Sequence, residues 1–166
     1  MASSEQSQPQ LPTSAIESQS IQKPEVWFEY VVRVHPHHTD YAGIVWHGTY
    51  ISWMEEARVE SLRSIGIEFA ELVNLGCDLP VVELSVRYHK PVKLGMVVVV
   101  KTRMANSEGV RLDWDYQIQS LDGKELFVTA KVTLVTVDKE KGKIMRRLPP
   151  AVEAILTKKM RFKPRP

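Results

Sequence analysis

The sequence predicts an α+β domain, an antiparallel five-stranded sheet wrapped around one long central helix, and three observations lead there. A single strongly amphipathic helical stretch starts near residue 50, four of the five strand-like segments follow it, and the last three of those are joined by turn signals. One helix placed between the first and second strands has few surfaces on which to bury an apolar face except the sheet, so the sheet is expected to curl around it.

The elements follow in order. Val26, Phe28, Tyr30, Val32 and Val34 share one parity, the two-residue period of a half-buried strand. From Ile51 to Ile65 the period changes: Tyr50, Trp53, Met54, Ala57, Leu62 and Ile65 form an apolar stripe, with Glu55, Glu56, Glu60 and Arg63 opposite. A shorter helical piece, Ile67 to Leu75, stops at Gly76. Val82, Leu84, Val86 and Tyr88 then alternate with polar residues, and Pro91 and Gly95 break the run before a strand over Met96 to Met104. Val110 to Gln119 alternates in the same way, and Leu126 to Val137 closes the set. Asp122-Gly123 is a strong hairpin signal and Asn106 to Gly109 a looser one, so the last three strands are expected to form an antiparallel meander. Asp138 to Lys143 reads as a polar turn, and Pro149-Pro150 opens a terminal helix through Leu156.

At 166 residues, with 43% hydrophobic and 25% charged residues, the chain suits one domain, expected over residues 25–157. Residues 1–24 are rich in Ser, Gln and Pro and have little to bury, so a disordered tail is expected there; Glu5, Glu17 and the lack of Arg argue against a transit peptide. Residues 158–166 read as a solvated basic tail. A net charge of +2 does not call for nucleic acid, and no apolar run approaches the roughly 20 residues of a membrane span. Cys77 is the only cysteine, which rules out an intrachain disulfide and a CxxC motif and fits a reducing, cytoplasmic setting.

Residues 35–50 carry the chemistry. Asp40 lies in a loop with Gly43, one short step before a helix start marked by His47-Gly48-Thr49. The first turn of a helix offers backbone N–H groups without intrahelical partners at the positive end of the helix dipole, which suits an oxyanion. The run from Asp40 to Tyr50, with Ala42-Gly43, Val45 and Tyr50 at their places before a long helix, resembles the hot-dog-fold thioesterases of the 4-hydroxybenzoyl-CoA thioesterase family. The stretch Tyr88 to Gly95 is similar to that family's second-strand ending, and the resemblance covers roughly Val26 to Val137.

The resemblance implies a hot-dog fold, a catalytic role for Asp40 and a carbonyl-orienting role for the backbone N–H of His47. It also implies active sites shared between two subunits, hence a homodimer or homotetramer, and no cofactor. An ionised carboxylate attacks a carbonyl or deprotonates water, and a thiolate leaves without the general acid an amide requires, so one carboxylate with well-aimed N–H donors suffices for a thioester. Gly43, Trp46, Gly48, Tyr50, Lys90 and Lys93 are the expected substrate contacts, the aromatics for the acyl group and the lysines for the phosphates of coenzyme A. The competing roles are plain ones: Asp40 as a turn cap, His47 as a structural or acid-base histidine, Trp53 as core. Glu55 and Glu56 are alternative carboxylates, since another branch of these thioesterases puts its acid on the helix. A metal site from His35, His37, His38, His47 and Asp40 is not expected, because Pro36 interrupts the cluster and no ligand spacing is present.

The expected activity is hydrolysis of an acyl-CoA to free acid and coenzyme A. Hydrolysis of acyl carrier protein thioesters and a non-catalytic acyl-CoA-binding role are the alternatives.

Overall fold

The computed structural model describes residues 26–105 and 109–160. The expected tail over residues 1–24 and the turn at Asn106 to Glu108 lie outside the described residues, as does all of the basic tail except the last turn of the terminal helix.

Five strands build the main sheet: β1 (Phe28–Arg33), β3 (Val81–Tyr88), β4 (Val97–Met104), β5 (Arg111–Ser120) and β6 (Leu126–Val135). Their order is β1-β4-β5-β6-β3, antiparallel throughout. The strands β4, β5 and β6 make the expected meander. At the β5–β6 hairpin, Ser120 donates through its hydroxyl to Asp122 at 2.6 Å, and Gly123 takes the positive φ of 71° that the turn needs.

The helix α1 (Thr49–Ser64) packs on β1 and β4 and is the centre of the core. Tyr50, Trp53, Met54, Ala57 and Leu62 are buried against Val98, Val100, Tyr116, Ile118 and their neighbours, which is the hot-dog arrangement. One detail differs from the sequence reading, and a second was not part of it. Ile65 leaves the stripe and is 38% exposed, because the helix ends at Ser64 and Gly66 turns the chain with a φ of 74°. Arg58 belongs to the buried face: its guanidinium donates to the Tyr116 hydroxyl at 3.0 Å, with the Glu55 carboxylate 4.0 Å away.

The shorter helix α2 (Phe69–Asn74) and the terminal helix α3 (Pro150–Met160) flank this core, and α3 runs past its expected end at Leu156. A small second sheet escaped the sequence reading. It joins β2 (Cys77–Asp78), β7 (Val137–Asp138) and β8 (Lys143–Ile144), two-residue strands too short to show any period. The edge position of β3 leaves the apolar residues of its alternation uncovered: Val82, Leu84 and Tyr88 are all exposed.

Candidate active site

The loop between β1 and α1 is held by hydrogen bonds within itself, to the start of α1 and to the segment that follows β3. Pro36–His38 form one turn of 3-10 helix, after which the His38 carbonyl accepts the Trp46 N–H at 3.0 Å and the Thr49 hydroxyl at 3.1 Å. Val45 donates to Val92 at 2.9 Å, and Leu94 donates to the Gly43 carbonyl at 2.9 Å. Gly43 is required by its φ of 73° rather than by crowding, since an added Cβ there meets nothing.

Asp40 caps this loop. Its Oδ1 accepts the N–H of Ala42 at 2.8 Å and of Ile44 at 3.2 Å, while Oδ2 makes no hydrogen bond among the described residues. The turn-cap role and a chemical role are therefore divided between two oxygens of one carboxylate.

At the helix start, Gly48 is the N-cap and no side chain caps the turn. Thr49 N–H goes to the Trp46 carbonyl at 2.9 Å, while the N–H groups of His47 and Gly48 have no acceptor among the described residues. Gly48 is glycine for space: a Cβ there would overlap the indole of Trp46, which lies across it. The His47 ring packs on that indole, centroids 4.7 Å apart, and makes no hydrogen bond among the described residues, so it lacks there the structural tie that a buried histidine shows.

A groove of about 380 Å³ joins these features. Asp40, Trp46, His47, Tyr50 and Lys90 line it, together with Tyr88, His89 and others. Gly43, Gly48 and Lys93 do not line the groove. Gly43 and Gly48 shape its loop and helix start, and Lys93 forms a backbone bridge with Ile44. Lys90 is exposed and paired with Glu125 at 3.2 Å. The Tyr50 hydroxyl is turned away from the opening and accepts the Val92 N–H at 3.2 Å; burial raises its pKa, and this hydrogen bond partly offsets the rise.

Tyr88 and His89 are the residues that sequence reasoning passed over. The Tyr88 hydroxyl donates to the His47 carbonyl at 2.9 Å, and His89 Nε2 lies 2.9 Å from the Thr129 hydroxyl. Tyr88 carried a signal, a strand residue of core parity two places before Lys90-Pro91, but alternation alone could not tell a groove wall from core.

Glu55 and Glu56 stand elsewhere. They line a separate hollow of about 290 Å³ on the outer face of α1 with Tyr30, Ser52, Val59 and Glu60, and it shares no residue with the Asp40 groove. Glu56 accepts the Tyr30 hydroxyl at 3.0 Å, which holds the phenol above its usual range together with burial, the larger cause. Among the described residues no cluster of His, Cys, Asp and Glu is arranged to hold a metal. No described helix is long and apolar enough to cross a membrane.

Residues 34–158 match the thioesterase-like superfamily. A protein of Synechocystis sp. named for a proposed esterase activity is 60% identical over 134 residues, 81% of each chain. The acyl-CoA thioester hydrolase YbgC of Escherichia coli is 30% identical over 127 residues, covering 76% of this chain and 93% of YbgC. Among solved structures, the DHNA-CoA thioesterase of Staphylococcus aureus superposes with a TM-score of 0.72 at 27% identity, over 80% of this chain and 89% of that one.

Proposed function

Because this chain belongs to the thioesterase-like superfamily and is a thioester hydrolase, we propose that its substrate is an acyl-coenzyme A, which it cleaves with water to a free acid and coenzyme A. The observation that carries the reading is the groove itself, where an Asp40 oxygen stands beside a helix start, and neither that oxygen nor the His47 and Gly48 N–H groups have a hydrogen-bond partner among the described residues. The names of YbgC and of the Staphylococcus aureus enzyme, both thioesterases of coenzyme A esters, support the same choice of carrier.

In this reading the thioester oxygen sits at the start of α1, where the His47 N–H and the helix dipole stabilise the negative charge that develops on it. Asp40 either attacks the carbonyl carbon through Oδ2 or takes a proton from the attacking water. In both routes the C–S bond breaks, coenzyme A leaves as a thiolate, and the oxygen gained by the acid comes from water. Trp46, Tyr50 and Tyr88 flank the acyl group; Lys90, which lines the groove, and Lys93, three residues further along the chain and outside it, supply positive charge for the phosphates of coenzyme A.

The working unit is a homodimer built across β3. That strand is an edge with open backbone groups and exposed Val82, Leu84 and Tyr88, the kind of surface a second copy covers. Two antiparallel β3 strands with Ser85 on the two-fold axis set Glu83 opposite the partner copy's Arg87 and Leu84 opposite its Val86. Shifting the pairing by two residues either way loses that charge match.

The test is release of free thiol across aromatic, short and long acyl-CoA thioesters, with the same acyl groups on an acyl carrier protein in parallel. Turnover of the coenzyme A esters at low micromolar concentration is expected. Turnover of the carrier-protein esters alone would overturn the choice of carrier, and binding without any thiol release would overturn the catalytic reading.

A further inference from the structure

Two successive peptide units meet at His47, and both are held at one end only. The Trp46 carbonyl is fixed by the Thr49 N–H at 2.9 Å, and the His47 carbonyl by the Tyr88 hydroxyl at 2.9 Å. Their opposite ends, the His47 N–H and the Gly48 N–H, have no acceptor among the described residues. In a trans peptide the C=O and N–H point in opposite directions from one rigid plane, so anchoring the carbonyl aims the N–H. Among the described residues every peptide bond is trans.

The anchor on the second peptide comes from a stiff frame. Tyr88 is the last residue of β3 and pairs with Val128, which is fully buried. Its ring leans on that of Tyr50, centroids 5.5 Å apart, and Tyr50 is itself fixed by the Val92 N–H. No other hydrogen bond reaches the His47 carbonyl among the described residues. Without Tyr88 the His47–Gly48 plane would be free to rock beneath the indole of Trp46. Burial raises the Tyr88 phenol above its usual range, so it stays a proton donor throughout neutral and mildly alkaline solution.

We propose that Tyr88 is a positioning residue for thioester cleavage: it locks the His47–Gly48 peptide so that the Gly48 N–H joins the His47 N–H as a second donor to the oxyanion. The proposal rests on the acyl-thioester reading above. Donating to the carbonyl of a peptide also polarises its N–H, which strengthens the donor at the far end. Tyr88 makes no bond to the reacting atoms, so its effect falls on the rate of the chemical step and little on ground-state binding.

The experiment compares the full chain with Tyr88→Phe, which keeps the ring and its packing and removes only the hydroxyl. The expected result is a fall in kcat of about tenfold to a hundredfold, the scale of a loosened rather than deleted oxyanion donor, with KM and the melting temperature nearly unchanged. In the slow variant Asp40→Asn, the carbonyl stretch of bound acyl-CoA is read by infrared difference spectroscopy. That band should move back toward its free-solution frequency when Tyr88→Phe is added, because one donor to the oxygen is weakened. An unchanged kcat with raised KM would make Tyr88 a wall of the groove and overturn the proposal. A kcat loss that follows a drop in melting temperature, with no shift of the carbonyl band, would overturn it as well. If the unaltered protein releases no thiol from any thioester, the catalytic reading fails first; an active protein indifferent to Tyr88→Phe fails this proposal alone.

Discussion

Asp40 and Ile44 are joined twice: the Asp40 N–H donates to the Ile44 carbonyl at 2.8 Å, and Asp40 Oδ1 accepts the Ile44 N–H at 3.2 Å. The loop that displays the carboxylate is thus tied by one of that carboxylate's own oxygens, so the two roles separate by choice of substitution.

Asp40→Asn retains an acceptor for Ala42 and Ile44 and removes the charge. Turnover is expected to fall by about two to four orders of magnitude, with coenzyme A ester binding preserved and stability changed by less than about 1 kcal/mol. Asp40→Ala removes the acceptor that serves both N–H groups and should cost about 1 kcal/mol more. Thiol-release kinetics and melting curves of the two variants check this. A well-folded Asp40→Asn protein that keeps most of its activity removes Asp40 from the mechanism.

Gly48→Ala tests the contact between the helix start and Trp46. The new methyl occupies the place of the indole, and because Trp46 is 53% exposed its ring can swing outward. The stability cost should stay near 1 kcal/mol, the low end for overpacking, while KM rises several-fold as the acyl wall is displaced. Tryptophan emission should shift to the red as Trp46 enters water. An unchanged KM would show that Trp46 is not a substrate contact.

How far the sequence carried the fold is clear from particular residues. Trp53, Met54 and Ala57 announced α1 and its buried face because burial repeats with the helical period, and the Asp40, Gly43 and His47 spacing marked a loop leading into a helix start. Three features were not legible. Arg58 carries a charge and reads as surface, yet a Tyr116 hydroxyl 58 residues away accepts from it, a partner no local pattern reveals. The strands β2, β7 and β8 owe their existence to tertiary pairing alone. Tyr88 looked like any core residue of an alternating strand, and only the edge position of β3 turned it toward the groove. The assignment of Lys90 and Lys93 from charge alone was the least constrained step, since Lys90 proves to have Glu125 as a neighbour.

The exposed edge of β3 predicts an association that one substitution should break. Leu84→Lys places a charge at the centre of the proposed strand pair and next to its own copy across the axis. The mass by light scattering at micromolar concentration should fall from dimer or tetramer to monomer, with loss of activity because each groove would lack its neighbour. Glu83→Arg alone should weaken the pair, and Glu83→Arg with Arg87→Glu should restore it, since the two exposed charges select register more than they add affinity. A native protein that is monomeric and fully active would refute the shared-site arrangement.

The last prediction concerns acid, and it turns on His38. Its Nδ1 accepts the His35 N–H at 3.1 Å, so that nitrogen carries no proton, and the ring meets Trp53 edge-on with centroids 5.1 Å apart. Burial is the main cause that lowers its pKa, the neighbouring His37 and His35 lower it further, and Glu56 alone opposes them. The folded pKa therefore lies below the unfolded value of 6.5, and between the two the unfolded chain binds more protons. The contribution of a neutral His38 is fully present above the unfolded pKa and is lost as pH falls through that value toward the folded one. Because the His38 carbonyl also holds the Trp46 N–H and the Thr49 hydroxyl, a loosened turn would disturb the helix start as well. Melting temperature should thus fall as pH drops from about 7.5 to about 5.5, the window around an ordinary histidine. Asp122 and Asp138, whose carboxyls their hydrogen bonds hold below the usual range, lose their contributions only at lower pH and stay out of that window. His38→Asn keeps an acceptor for His35 and takes up no proton, so its melting temperature should vary less with pH than that of the native protein. Parallel curves for the two proteins would place the acid sensitivity outside His38.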